Sequence, residues 1–231
     1  MDQAKEKSRL TEEEKSQQRK EIRRRRMLVY FITAAETLLR EDGIHDLTIR
    51  KVAQEAGYSS ATLYSYFKDL DELILFASLK YRREYLKKLS EEITETMTSL
   101  EQYRNIYRLF SFYAFREPEI YMNMYFGRHS GNLGEIATTY YELFPEEKAG
   151  SRTPIVQCQH EKIDIYENAK CSLTYIMNDG HIQQQNLEMA AQLLVRVHES
   201  FLQDVCTDNA IDPEEHTKRF LMIFDHIIAT N

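Results

Sequence analysis

The chain is poor in the residues that punctuate structure. Its 231 residues hold 7 Gly and 4 Pro. So few turn formers leave little material for hairpins or Gly-rich phosphate loops, and they point to a mostly helical, all-α chain. Cysteine is sparse too: Cys158, Cys171 and Cys206, with no CxxC spacing. That excludes a disulfide framework of the small secreted kind and reads as buried free thiols in a reducing compartment. Long apolar runs are missing. The longest stretch without Asp, Glu, Lys or Arg is Ala56–Phe67, 12 residues, whereas a membrane helix needs about 20. The first residues carry no apolar core of a signal peptide. A cytoplasmic protein with no membrane partner is expected. No Walker A, GxGxxG or GxSxG string occurs, and no nucleophile, base and donor set converges, so no enzyme is expected. Cys158 and His160 have ligand-like spacing but no second pair follows, and His198, His216 and His226 are scattered. Neither metal nor cofactor is expected. Glu161 and Asp164 could mimic a catalytic carboxylate pair, but on a polar helix face they read as solvated charges.

Basic charge is also in deficit, with 30 Lys+Arg against 37 Asp+Glu and a formal net charge of −7. Taken whole, that disfavours a phosphate-rich partner. Its distribution reverses the inference. Residues 1–68 carry 14 basic and 11 acidic side chains, net +3, and the remainder carries 16 and 26, net −10. A basic head precedes an acidic body, an asymmetry that suggests nucleic acid.

What is present in quantity is helical periodicity. Residues 1–21 are almost wholly polar and read as a flexible charged tail or a frayed helix start. From Arg23, the residues Leu28, Phe31, Ile32, Ala35, Leu38 and Leu39 share one face, and Gly43 is a natural stop. A short helix follows at 48–56 with Thr48 as N-cap, then one at 59–67 capped by Ser59, then a longer one from Asp69 to about Met97. Beyond it, helices are expected at 100–116, 117–126, 135–144, 155–178, 187–206 and 214–229, with a loop at 127–134. This makes nine or ten helices and no strand.

The two short helices joined at Gly57 form a helix-turn-helix. Ala53 is small where the second helix crosses, and Gly57 supplies the left-handed backbone of the turn. Val52, Ala56, Tyr58, Leu63 and Phe67 would make its core. Ser60, Ala61, Thr62, Ser65 and Tyr66 would face outward, short or hydroxyl-bearing side chains suited to base edges and phosphates. The run Arg23, Arg24, Arg25, Arg26 opposes the helix dipole at an N-terminus. A phosphate backbone or narrow minor groove explains it better than solubility does, given its neighbour.

The string Leu47-Thr48-Ile49-Arg50-Lys51-Val52-Ala53, Ala56-Gly57-Tyr58-Ser59, Leu63-Tyr64-Ser65-Tyr66-Phe67-Lys68 and Glu72-Leu73 resembles the tetracycline-repressor (TetR) family of bacterial regulators. The resemblance covers about residues 25–78. It implies a three-helix DNA-binding head with its third helix in the major groove. By family position Thr48, Arg50, Ser59, Tyr64, Tyr66 and Lys68 would meet phosphates, and Ser60, Ala61, Thr62 and Ser65 would lie nearest the bases. Two positions depart from the family pattern: Ala61 where Gly is frequent, and Leu70 where Lys is usual. The expected organisation is a tail at 1–21, a DNA-binding domain at 22–78 and a ligand-binding and dimerisation domain at 79–231.

In the body, Ala190, Leu194, Val197, Phe201 and Val205 form one stripe, and Phe220, Ile223, Phe224 and Ile227 form another. Two such helices from each of two copies can close a four-helix bundle, the dimer that a palindromic operator requires. Packing within one chain is the alternative. Tyr103, Tyr107, Phe110, Tyr113, Tyr121, Met122, Tyr125 and Phe126 make an aromatic and Met cluster suited to a lipophilic effector, or to ordinary core. The expected function is a ligand-responsive, sequence-specific transcriptional regulator, a repressor released from its palindromic double-stranded DNA operator by a lipophilic small molecule. The alternatives are an activator or ligand-independent regulator of the same family, and a helical carrier or enzyme with a similar N-terminus.

Overall fold

The computed structural model describes residues 12–147, 150 and 153–231. Among these are eleven α-helices, three single-turn 3-10 helices and no strand. The chain divides into two compact units, Met1–Leu73 and Ile74–Asn231.

The first unit contains α1 (Glu12–Asp42), α2 (Ile49–Glu55) and α3 (Ser60–Leu63). The tail expected at 1–21 is corrected in part. Residues 1–11 lie outside the described residues, but 12–21 are exposed turns of α1. Glu12, Glu13 and Glu14 complement the helix dipole, Lys15 Nζ lies 2.7 Å from Glu12, and Gln, Lys, Arg and Glu are good helix formers. Burial begins at Met27 and follows Leu28, Phe31, Ile32, Ala35 and Leu39. Gly43, at φ +80°, closes the helix with its N–H donated to the Leu39 carbonyl at 3.2 Å.

The second unit is built from α4 (Leu70–Glu92, starting in the first unit), α5 (Ser99–Ala114), α6 (Pro118–Phe126), α7 (Leu133–Leu143), α8 (Pro154–Glu161), α9 (Ile165–Asn178), α10 (Leu187–Thr207) and α11 (Pro213–Thr230). Three boundaries differ from expectation, each for a local reason. The fourth helix stops at Glu92, short of Met97, and a capping box opens α5: Glu101 accepts from the Thr98 N–H at 2.8 Å while Thr98 Oγ1 accepts from the Glu101 N–H. The single helix expected over 155–178 is two helices. Asp164 breaks it by capping α9, accepting from the Tyr166 and Glu167 N–H groups. The loop over 127–134 contains a 3-10 turn at Ser130–Asn132, and α7 starts inside it.

The break between α8 and α9 also corrects the cysteine reading. With the two helices folded back on each other, the Cα atoms of Cys158 and Cys171 are 6.0 Å apart and the residues are joined by a disulfide, leaving Cys206 free. A separation of 13 residues gives no hint of this in a sequence read as one straight helix.

The core of this unit surrounds α5. Tyr103, Ile106, Tyr107 and Leu109 are buried against Leu173 and Ile176 of α9, Ala190, Leu194 and Val195 of α10, and Phe220 and Phe224 of α11. Ring pairs at 5.2–5.5 Å connect Tyr103 to Phe224, and Tyr107 to Phe220 and Phe224. At the edge, Arg104 donates to both carboxylate oxygens of Asp225 at 2.8 and 3.0 Å, fixing α11 to α5. His198 sits inside this aromatic shell, 1% exposed, stacked on Phe115 at 5.1 Å and with Nε2 3.1 Å from Ser111 Oγ. Its Nδ1 has no partner.

Burial, with a smaller contribution from His216, pushes the His198 pKa down to about 3. The unfolded chain therefore takes up a proton below pH 6.5 that the native state refuses, and stability falls as pH falls. By linkage, His198 alone should remove about 2 kcal/mol between pH 7 and pH 5. Urea unfolding across that range measures the loss, and the His198 ring resonances should stay those of a neutral imidazole down to pH 4.5. A native imidazole that protonates near pH 6.5 would contradict the assignment.

Candidate nucleic-acid interface and ligand cavity

The head places every candidate DNA contact at or near its surface. Thr48 caps α2 by accepting from the Lys51 N–H at 3.2 Å, which leaves Arg50 exposed on the first turn. The turn uses Gly57 at φ +78°, and the Tyr58 N–H closes it on the Ala53 carbonyl at 2.8 Å. Ser59 then caps α3 through the Thr62 N–H, and its hydroxyl lies 2.9 Å from Thr62 Oγ1. α3 is shorter than the helix expected over 59–67: regular α-helix covers only Ser60–Leu63, and looser turns carry on to Tyr66. Ala61, Tyr64, Ser65 and Lys68 are exposed, and Ser60, Thr62 and Tyr66 are half-buried. Ser65 Oγ donates to the Ala61 carbonyl and keeps its acceptor capacity.

Val52, Leu63 and Phe67 are buried as expected. Ala56 is half-buried, and Tyr58 is corrected outward. At 41% exposure it leans on Phe31 and Tyr30 at 5.6 and 6.3 Å. Arg23, Arg24, Arg25 and Arg26 are all exposed. Arg23 and Arg26 line one surface hollow with Tyr58, Thr62 and Tyr66, and the Arg24 guanidinium lies 6.0 Å from the centre of the Tyr66 ring. The folded head thus places Arg23, Arg24 and Arg26 beside Thr62 and Tyr66.

The body holds an aromatic-walled cavity of about 30 Å³, room for a water molecule or two. Of the eight expected pocket residues, Tyr103, Tyr107, Phe110 and Tyr125 line it. Tyr113, Tyr121, Met122 and Phe126 do not. Tyr121 is spent in the core, with its hydroxyl donating to the Tyr81 carbonyl at 3.3 Å, and the other three are partly buried around that core. Ten wall residues were not anticipated: Arg82, Tyr85, Ile106, Gln159, Ile163, Ile165, Asn168, Ala169, Val195 and His198. For Arg82 a signal existed. Ser78, Arg82, Tyr85 and Leu89 recur at helical spacing and are all buried. The Lys80-Tyr81-Arg82-Arg83 run hid it by looking like a solvated face.

The stripes expected at a dimer interface are corrected. Ala190, Leu194, Val205, Phe220, Phe224 and Ile227 are buried within the single chain, and Val197 and Phe201 are half-buried. Ile223, at 37%, is the most exposed of the nine. The strongest amphipathic signal marks the face that packs inward. On the outer faces of α10 and α11 stand Met189, Leu193, Met222 and Ile223, all at least 37% exposed. No helix among the described residues is long and apolar enough to cross a membrane.

Comparison with known proteins agrees with this division. Residues 31–76 match the family model described as bacterial regulatory proteins, tetR family. An HTH-type transcriptional regulator of Haemophilus influenzae is 28% identical over 92 residues, 40% of this chain and 49% of that protein. The fatty acid metabolism regulator protein of Bacillus subtilis is 28% identical over 71 residues, 31% of this chain and 37% of that protein. The matches thus span half or less of these relatives' own length. Among solved structures, RolR in complex with resorcinol superposes with a TM-score of 0.59 at 15% identity, covering 90% of this chain and 95% of that one. FadR of Thermus thermophilus, a TetR-family repressor in complex with lauroyl-CoA, gives 0.55 at 17%, covering 85% and 92%. These likenesses to solved structures show the all-α fold, and residues 31–76, the segment that holds the Ser59-capped third helix, are similar to the tetR family of bacterial regulatory proteins.

Proposed function

We propose that the protein is a sequence-specific DNA-binding transcriptional regulator, working as a homodimer and released from its operator by a small molecule held in the body. The observation that carries this reading is the head: a short capped helix presents exposed hydroxyl and aromatic side chains, with Arg23, Arg24 and Arg26 beside them. Arg50, Tyr64, Tyr66, Lys68 and the arginine run supply phosphate contacts, with Thr48 and Ser59 at the helix starts. Ser60, Ala61, Thr62 and Ser65 lie nearest the base edges. Ala61 offers a methyl group to thymine. The acidic body, net −10 beyond residue 68, is repelled by phosphates and keeps the duplex at the head.

The dimer surface moves to the outer faces of α10 and α11, where Met189, Leu193, Met222 and Ile223 leave apolar area in water. Two copies fit a palindromic operator, whose half-sites lie about one helical turn apart. FadR and RolR are known with ligands bound, which supports a ligand-sensing role for the cavity. Because the cavity is so small, a ligand must spread the helices around it, and α4 belongs to both that wall and the head. The differential affinity of the ligand for the two arrangements would set the change in DNA binding.

Two experiments test the reading. A duplex selected from a random pool should bind the wild type with a steep salt dependence. Replacing Arg23–Arg26 with Ala should flatten the slope by about 0.9 for each phosphate contact removed, whereas Thr62→Ala should relax base preference by about 1–3 kcal/mol and leave the slope intact. No selected duplex, or an unchanged slope, rejects the interface. In light scattering the wild type should weigh as a dimer and Leu193→Glu/Met222→Asp as a monomer. A double variant that stays dimeric rejects the surface.

A further inference from the structure

Arg82 is the anomaly of the body. It is 2% exposed, yet among the described residues no carboxylate stands within ion-pair distance of it. Its neighbour Arg83, at the surface, has Glu147 at 3.1 Å. A buried charge without a counter-charge is strongly unfavourable, and proteins keep one where it has a partner to meet. Guanidinium cannot escape by losing its proton.

Its surroundings are arranged around that charge. Nη2 donates to the Gln159 carbonyl. Gln159 is itself immobilised, because Oε1 accepts from the Tyr85 hydroxyl at 3.2 Å and Nε2 donates to Ser172 Oγ at 2.7 Å. Gln159 follows Cys158, which is tied to α9 by the disulfide. Burial pulls the guanidinium pKa down, and the Tyr125 and Tyr141 hydroxyls, its electrostatic and hydrogen-bonding neighbours, raise it. Nη1 is buried and has no hydrogen-bond partner. The charge is felt nearby: burial first and Arg82 second push His160 down to about 4. Arg82 and Tyr125 both line the cavity, whose remaining wall is largely aromatic and aliphatic, including Tyr103, Ile106, Tyr107 and Phe110.

We infer that the cavity is a carboxylate site, taking a small monocarboxylic acid whose anionic head pairs with Arg82 and whose aromatic or short acyl body lies among the α5 side chains. One carboxylate oxygen accepts from Nη1, and the second accepts from the hydroxyl of Tyr125, which lines the same cavity. That pairing supplies the missing counter-charge with charge-assisted hydrogen bonds in a dry site. An apolar body replaces the water that the cavity can hold. The inference rests on the ligand-sensing reading above and narrows the class of effector.

The test compares acids with the matching alcohols: phenylacetate against 2-phenylethanol and octanoate against octanol, by calorimetry on the full chain without DNA at pH 7. At least one acid should bind about tenfold or more tighter than its alcohol. Arg82→Gln should erase that preference, and Arg82→Lys, which keeps charge but loses the planar fork, should weaken it. The acid-against-alcohol comparison in wild type needs no variant, so a misfolded substitution does not decide the matter. Equal binding of acid and alcohol, a preference that survives Arg82→Gln, or no acid binding at millimolar concentration overturns the proposal. Lauroyl-CoA is the remaining probe: binding it while ignoring both acids also overturns the carboxylate site but leaves a ligand-sensing body. The selected duplex separates the two readings. If the acid binds and DNA is retained, the carboxylate site stands and ligand-controlled release falls. If acid and alcohol release DNA equally, release stands and the carboxylate site falls.

Discussion

The body depends on enclosing one aromatic helix. α5 brings Tyr103, Tyr107 and Phe110 into the interior together with Ile106 and Leu109, and such side chains are buried only if other helices surround them. α9, α10 and α11 do so, each contributing its most apolar stripe. Each large side chain that leaves water contributes about 1.5–3 kcal/mol, so the stripes face inward before any second chain is met. That one demand decides which side of α10 and α11 remains for a partner. It also explains why the exposed side is a small Met and Leu patch and not the continuous stripe.

The same enclosure creates the polar problem at its edge. Rings cannot tile a volume completely, and the remaining space lies among α4, α5, α8, α9 and α10. There the chain places Arg82, Gln159, Asn168 and His198. His198 can be accommodated by remaining neutral. Arg82 cannot, and its retention in a wall that is mostly apolar is the physical oddity that gives the cavity a chemical preference. The head lacks such tension. Its capped helices, glycine turn and exposed hydroxyls follow local rules, and its function rests on surface charge.

Much of the head was legible in sequence because its determinants are close together along the chain. Thr48 and Ser59 cap helices that begin one residue later, and Gly57 adopts the positive φ that its turn needs. The family string includes these positions. Tyr58 was misplaced because its contacts, Tyr30 and Phe31, lie on another helix. In the body, periodicity located the helices and found Tyr103, Tyr107, Phe110 and Tyr125. It could not say which members of an aromatic-rich segment face a cavity and which are spent elsewhere, as Tyr121 is on the Tyr81 carbonyl.

By itself the sequence determined the helical class, the position of the helix-turn-helix, its caps and the contrast between basic head and acidic body. These depend on spacing, turn chemistry and charge within a few residues. Only the tertiary structure decided that Cys158 and Cys171 pair, that the assumed dimer stripes are largely core, and that Arg82 is buried with no carboxylate beside it among the described residues. Each of these turns on which distant segment arrives alongside. The break at Asp164 shows the transition between the two regimes. A single local cap divides one expected helix into two, and the fold-back that follows brings the cysteines together and sets Gln159 against Arg82.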